Sequence, residues 1–302
     1  MAVAAARPTK VFRRSRLYTW STIFPVLALV ALFTLFPFVY AAVNSTRQRI
    51  LTIPGHEPFV GLRNYEQVIG SDTFDVAVRN TLVFFLLTVP TVTALGLGVA
   101  LLLNQRVRGF GVLVALVLLP WSIPLVSAGI IWRLLLHGNF GALNGLLLEL
   151  GIVDSYVPWL SDSGKAMFSV AFAHVWREFP LPAILFLAGL QTITPEILEA
   201  ARLDRASAWQ RFRYVTLPLL KAPLLIVLVY ETMIAISVFD LVYVLTGGGP
   251  GTSTTLFSWY AYTSTFKFLN LGHGAALSFL MTAVLILAIL VYLRLVRVRE
   301  EA

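Results

Sequence analysis

His174, Arg177, Glu178 and Glu231 stand inside long apolar runs, where a charge needs a partner or water. A charged side chain at the centre of a membrane helix costs about 2.5 to 3.5 kcal/mol on insertion scales, so four such residues point to ion pairing or to a polar path. His174, Glu178 and Leu181 recur at i, i+4 and i+7 and share one helical face, with Arg177 to its side. Arg177 and Glu178 are sequence neighbours and project about 100° apart on an unbroken helix. Each is therefore expected to meet a partner on another helix or to border a wet cavity. Glu231 poses the same alternatives, an interhelix ion pair or the wall of a path. Ala235 and Val238 continue its face, which is the expected path-facing side, while Asp240 reads as a solvated anchor near the end of the run.

Catalytic and cofactor chemistry finds little support. The run Gly247-Gly248-Gly249-Pro250-Gly251 is rich in glycine, but no G-x-x-x-x-G-K-[ST] pattern occurs. The sole Gly-Lys pair, Gly164-Lys165, has Trp159 at the first glycine position and Ala166 after the lysine. The glycine run reads instead as a tight turn, and the chain lacks the usual means to bind and hydrolyse ATP itself. His56, His137, His174 and His273 are far apart, no H-x-x-x-H pair exists, and there is no cysteine. No metal or bound cofactor is expected on this chain.

A polar stretch between two apolar runs, Thr194 to Pro218, reads as a small folded element. Thr194 suits an N-cap, Pro195 the first helical position, and Glu196 and Glu199 complement the positive helix end. Arg202, Arg205, Arg211 and Arg213 follow. Ile197, Ala200, Ala201 and Leu203 give a short apolar strip beside the charges, and Trp209 and Phe212 form an i, i+3 aromatic pair. Two readings stand: a surface helix held by its own charge pairs, or a knob that enters a groove of another protein.

The surroundings of these residues are membrane helices. The 302 residues are 58% hydrophobic and 13% charged, with a mean hydropathy of +0.82, whereas soluble domains carry about 25% charge. Six apolar runs are long enough to span: Leu17–Thr46, Thr81–Leu103, Gly109–Trp132, Ala166–Leu190, Leu219–Leu241 and Ala275–Leu293. Pro25, Pro37 and Pro90 lie within them, and Pro120-Trp121-Ser122-Ile123-Pro124 predicts a kink or an unwound turn. Ala94 and Gly98 have the spacing of a close helix contact. Phe257, Trp259, Tyr260, Tyr262 and Phe266 cluster with almost no charge, as at a headgroup boundary. Residues 1–16 form a basic tail. Of the 23 lysines and arginines, fifteen fall on the side of both termini and seven on the other, which places the termini and the Thr194 stretch in the cytoplasm. That distribution also directs the net charge of +8 toward membrane lipids rather than nucleic acid.

The stretch E-A-A-R-L-D-R-A-S-A-W-Q-R-F-R-Y-V-T-L-P closely resembles the E-A-A loop of permease subunits in binding-protein-dependent ABC importers, in their sugar and glycerol-phosphate branch. The resemblance continues through F-x-G-L-x-N-Y at Phe59–Tyr65, N-T-L at Asn80–Leu82, G-A-L-N at Gly141–Asn144, F-D-L-V-Y-V-L-T-G-G-G-P at Phe239–Pro250 and A-A-L-S at Ala275–Ser278. It implies an all-α type I importer permease core in a bacterial or archaeal plasma membrane, paired with a second, related permease. It further implies two cytoplasmic ATPase subunits that use ATP and Mg, and an external sugar-binding protein. Residues 194–218 would then be the coupling loop, with Glu199, Ala200, Ala201, Asp204, Arg205 and Ala206 at the ATPase and Glu199 pairing with a base there. On the shared V-W-x-x-x-P and L-T-x-G-G-P patterns the substrate path would include His174, Arg177, Glu178, Leu181, Ile234, Ala235 and Val238, and Glu231 joins them as an intramembrane charge. The usual pattern is E-A-A-x-x-D-G-A, and Arg205 stands where the glycine belongs; in a left-handed turn that exchange costs on the order of 1 kcal/mol. The competing readings are a stand-alone secondary transporter or channel, with Glu178, Glu231 and His174 as a proton relay, and an intramembrane enzyme.

Overall fold

The computed structural model describes residues 11–53, 55, 57–105 and 109–296, with side chains from Trp20 onward. Most of the basic tail, together with His56, Arg106, Arg108, Arg297 and Arg299, lies outside the described residues. Among the described residues the chain is helical throughout, with two isolated bridges and no strand. Three helices are long and apolar enough to cross a membrane, and three bent helix pairs qualify if each is taken as one span.

The breaks follow the prolines. The first span runs through α1 (Val11–Val30), a π-helical turn at Ala31–Leu35 and α2 (Phe36–Ser45). Phe36 N–H bonds to the carbonyl of Ala31, so a wide turn absorbs the donor missing at Pro37. After α3 (Arg63–Ile69) comes α4 (Asp72–Leu103), which starts nine residues before the expected Thr81. Ser71 Oγ accepts from Phe74 N–H, and Asp72 and Asp75 sit in the first turn, so a capped polar extension carries the helix past its apolar run.

The third run breaks into α5 (Phe110–Ser122) and α6 (Leu125–Leu135), which meet at 91°. Ile123 precedes Pro124 and takes the extended conformation that a following proline favours. Beyond α7 (Ala142–Glu149), the fourth run divides into α8 (Ser163–Glu178) and α9 (Pro180–Gln191), bent by 42° at Phe179. The polar stretch forms α10 (Pro195–Leu203), α11 (Ala208–Arg211), a π-helical turn at Phe212–Thr216 and α12 (Leu217–Leu219). A 68° bend at Leu220 then opens α13 (Lys221–Ser237). The fifth helix therefore ends before the expected Leu241, and Asp240 begins a separate helix, α14 (Asp240–Leu245). α15 (Phe257–Tyr262) and a π-helical turn at Thr263–Lys267 lead into α16 (Leu271–Leu295).

The central core joins α4, α8, α13, α14 and α15 through Phe84, Val170, Ala173, Ala235, Leu241 and Trp259. Here the aromatic cluster departs from its expected headgroup placement. Phe257, Trp259 and Tyr260 are buried, because α15 folds back onto α4 and α16. The rings of Phe239, Trp259 and Tyr262 pack on one another, with Phe239 and Tyr262 centroids 4.3 Å apart. Phe266 alone of the five is strongly exposed. The close helix contact also differs from expectation: Gly98 faces open space, whereas a Cβ on Gly96 would lie 2.6 Å from Pro182 Cβ of α9.

The connections sort to two ends. Leu103, Asn104 and Gln105 line one cleft with Gln191, Ile193 and Pro195, so the α4–α5 turn and the entry to α10 share an end. At the other end Leu271 N–H bonds to the Arg49 carbonyl and Leu51 N–H to the Leu269 carbonyl, joining the α2–α3 connection to the start of α16.

Candidate functional site

The acid–base residues gather where two helix breaks meet. Glu178 is the last residue of α8, Arg177 precedes it, and the break at Ile123 between α5 and α6 lies alongside. Arg177 Nη1 donates to Glu178 Oε1 at 2.5 Å, and its Nε reaches the Ile123 carbonyl at 3.5 Å. The two neighbours thus pair with each other, which corrects the expectation of separate partners. The helix stops at Glu178, and the Arg177 side chain reaches both its neighbour and the open turn at Ile123. The same break ends the shared face of His174 and Glu178 before it reaches Leu181.

His174, Glu178 and Glu231 are fully buried. The His174 ring packs edge-on to Phe84 with centroids 5.1 Å apart, and neither of its nitrogens has a hydrogen-bond partner among the described residues. The same holds for Glu178 Oε2 and for both Glu231 oxygens. Glu231, on α13, is within electrostatic reach of Glu178 and Arg177. Tyr230 beside it is within electrostatic reach of Trp121 and of the same three side chains. Among the described residues Arg177 uses two of its donors, Nε and Nη1, and it is partly accessible, so it can offer further hydrogen bonds to a hydroxyl or an anionic oxygen.

Other expected path residues divide by burial. Leu181 and Ile234 are partly exposed. Ala235 and Val238 are 1% and 4% exposed and belong to the central core. The face below Glu231 packs on α4 within that core. Sequence reasoning missed the Ile123 carbonyl, Trp121 and Tyr230. The proline pair marked the unwound turn, but nothing in the pattern joined it to Arg177.

The polar hairpin is built differently. α10 has no buried residue; Leu203 is 85% and Ile197 43% exposed. Thr194 holds the N-cap position without a side-chain hydrogen bond, so Pro195 and Glu196 carry the start of the helix. At the other end Arg205 adopts φ 56°. Ala206 N–H bonds to the Ala201 carbonyl and Arg205 N–H to the Arg202 carbonyl, the paired bonds of a Schellman closure with arginine at the usual glycine position. Ser207 and Gln210 then form a reciprocal capping box that starts α11. Arg211 Nη1 donates to the Ala206 carbonyl at 2.6 Å, tying α11 to the turn. Among the described residues no charge of this hairpin pairs with another, so a helix held by its own ion pairs is not what forms.

The motifs that carry the resemblance also acquire roles. Asn64 Nδ2 donates to the Ser45 and Arg47 carbonyls, Asn80 Nδ2 to those of Thr252 and Thr255, and Asn144 holds Val157 and Trp159. All three amides are buried and pin a loop to a helix. Gly248, at φ 88°, lies so close to Trp259 that a Cβ would fall 2.2 Å from Nε1. Its carbonyl accepts from Thr255 Oγ1.

Comparison with known proteins agrees with this architecture. Residues 80–300 match the family described as binding-protein-dependent transport system inner membrane component. The trehalose/maltose transport system permease protein MalF of Thermococcus litoralis is 41% identical over 92% of this chain and 93% of its own length. The sulfoquinovosyl glycerol transport system permease protein SmoG of Agrobacterium fabrum is 34% identical over 91% and 89%. The lactose transport system permease protein LacF of Rhizobium radiobacter is 32% identical over 93% and 94%. In fold, the chain is similar to a solved bacterial ABC transporter involved in the import of the acidic polysaccharide alginate, with a TM-score of 0.81 at 21% identity, covering 95% of this chain and 97% of that one. The chain belongs to the family of binding-protein-dependent transport system inner membrane components, the multi-pass permease subunits of ABC importers.

Proposed function

We propose that this chain is one of two related permeases in a sugar-importing ABC transporter, non-catalytic itself and driven by two cytoplasmic ATPase subunits through α10. Substrate delivered by an external binding protein passes the junction of Arg177, Glu178 and Glu231, with His174, Leu181 and Ile234 beside it. Ala235 and Val238 join the path only in a conformation that opens the α13 face. Glu199, Ala200, Ala201, Asp204, Arg205 and Ala206 form the coupling surface, and both termini lie on the same, cytoplasmic side.

The observation that carries this reading is α10 itself, a short helix closed at its end, with no residue buried and no ion pair of its own among the described residues. A folded element that buries nothing in its own chain suits burial in another. The sugar assignment rests on relatives named for trehalose and maltose, sulfoquinovosyl glycerol and lactose. Hydroxyl-rich ligands suit Arg177 beside carboxyls, since both groups bond hydroxyls well.

The unpartnered oxygens of Glu178 and Glu231 favour a second reading, a proton-coupled transporter that works alone. One experiment separates the two. Proteoliposomes carrying both permeases and the ATPases should take up a sugar only with ATP inside and the binding protein outside, and this chain alone should move none under a proton gradient. Gradient-driven uptake by the chain alone would overturn the proposal.

A further inference from the structure

The second half of the hairpin differs in chemistry from α10. No Asp or Glu occurs from Arg205 to Tyr230, whereas Arg205, Arg211, Arg213 and Lys221 lie in that interval. α10 by contrast carries Glu196 and Glu199, with Asp204 at its end. The helical stretch Ala208–Leu219 lies at 68° to α13. If α13 crosses the bilayer, this stretch runs closer to the membrane plane than to its normal. Trp209 and Tyr214 are 68% and 72% exposed, Arg213 and Lys221 are exposed, and the Arg213 guanidinium stands 5.8 Å from the Tyr214 ring centre. Among the described residues neither Arg213 nor Lys221 pairs with a carboxylate.

We propose that Ala208–Lys221 is a headgroup-binding surface for anionic phospholipid of the cytoplasmic leaflet. Arg213 and Lys221 meet the lipid phosphates, and Trp209 and Tyr214 hold the segment at the interface. Charge complementarity selects this occupant: cations interleaved with amphipathic aromatics, beside a span and without an acid, attract anionic lipid. A groove on a protein partner would be matched better by the mixed charges of α10. The proposal rests on the cytoplasmic placement of the hairpin given above.

The test uses the assembled transporter in bilayer discs of phosphatidylcholine doped with phosphatidylglycerol, with retained phosphatidylglycerol measured by native mass spectrometry. The double variant Arg213→Gln/Lys221→Gln should bind phosphatidylglycerol on the order of ten-fold more weakly, and added salt should narrow the gap. Arg213→Lys should keep the binding. Unchanged retention in the double variant, loss of the ATPase subunits in place of lipid, or equal loss in Arg213→Lys would overturn the proposal. Placement is read separately. The chain has no cysteine, so Ala208→Cys can be labelled with a membrane-impermeant maleimide. Labelling in inside-out vesicles supports the cytoplasmic placement, and labelling in right-side-out vesicles overturns it whatever the lipid result.

Discussion

Arg177 is the residue on which the intramembrane junction depends. It pairs with a fully buried Glu178 and reaches the carbonyl left open at Ile123, so it neutralises one group and satisfies another. Removing one member of a buried pair strands the other, which is costlier than removing both. Arg177→Met should therefore destabilise the purified protein by about 3 kcal/mol. The double variant Arg177→Met/Glu178→Met should recover more than half of that loss, as read from thermal unfolding midpoints in detergent. A double variant as damaged as the single one would contradict the pairing. The sequence displayed these charges plainly, since each interrupts an apolar run. It hid their pairing, because the assumption of one continuous helix sets neighbours 100° apart, and the helix in fact ends at Glu178.

At the scale of the element, the breaks decide where the side chains go. Pro124, Pro180, Pro218 and Pro223 stand at or beside the three sharp bends, and the kink at Pro120–Pro124 was readable from composition alone. The angles were not, since they depend on which neighbour satisfies each freed carbonyl. The ends of α10 were readable too, down to the strained position at Arg205. An L-residue in the left-handed region costs on the order of 1 kcal/mol relative to glycine. Arg205→Gly should thus strengthen the Schellman closure, slowing amide hydrogen exchange at Arg202–Ala206 about five-fold. Faster or unchanged exchange would show that the arginine side chain stabilises the turn by contacts that offset its backbone strain. The buried asparagines were legible only as parts of motifs. Their hydrogen bonds join residues 7 to 175 positions apart, and most of these distances lie beyond any local pattern.

Across the whole molecule, exposure of apolar surface is the rule outside the core. Trp20, Phe24, Phe33 and Phe36 on the first span are each more than 60% exposed, a surface matched to hydrocarbon or to another membrane subunit. The buried aromatics of α15 were misplaced from sequence for a related reason. A loop rich in rings and poor in charge fits a headgroup belt and a folded-back core equally well, and only the packing of α15 on α4 and α16 separates them. Like most of the first span, α10 buries nothing in its own chain, but α10 is polar, and the account stands on its being buried in an ATPase subunit. The direct measurement is sugar uptake by proteoliposomes containing the assembled importer, its binding protein and internal ATP, with Glu199→Lys compared against the unaltered chain. Reversing a charge at a buried interfacial pair should lower uptake more than about ten-fold while the variant chain still inserts and pairs with its second permease. Full ATP-coupled uptake by Glu199→Lys would contradict the coupling role of α10.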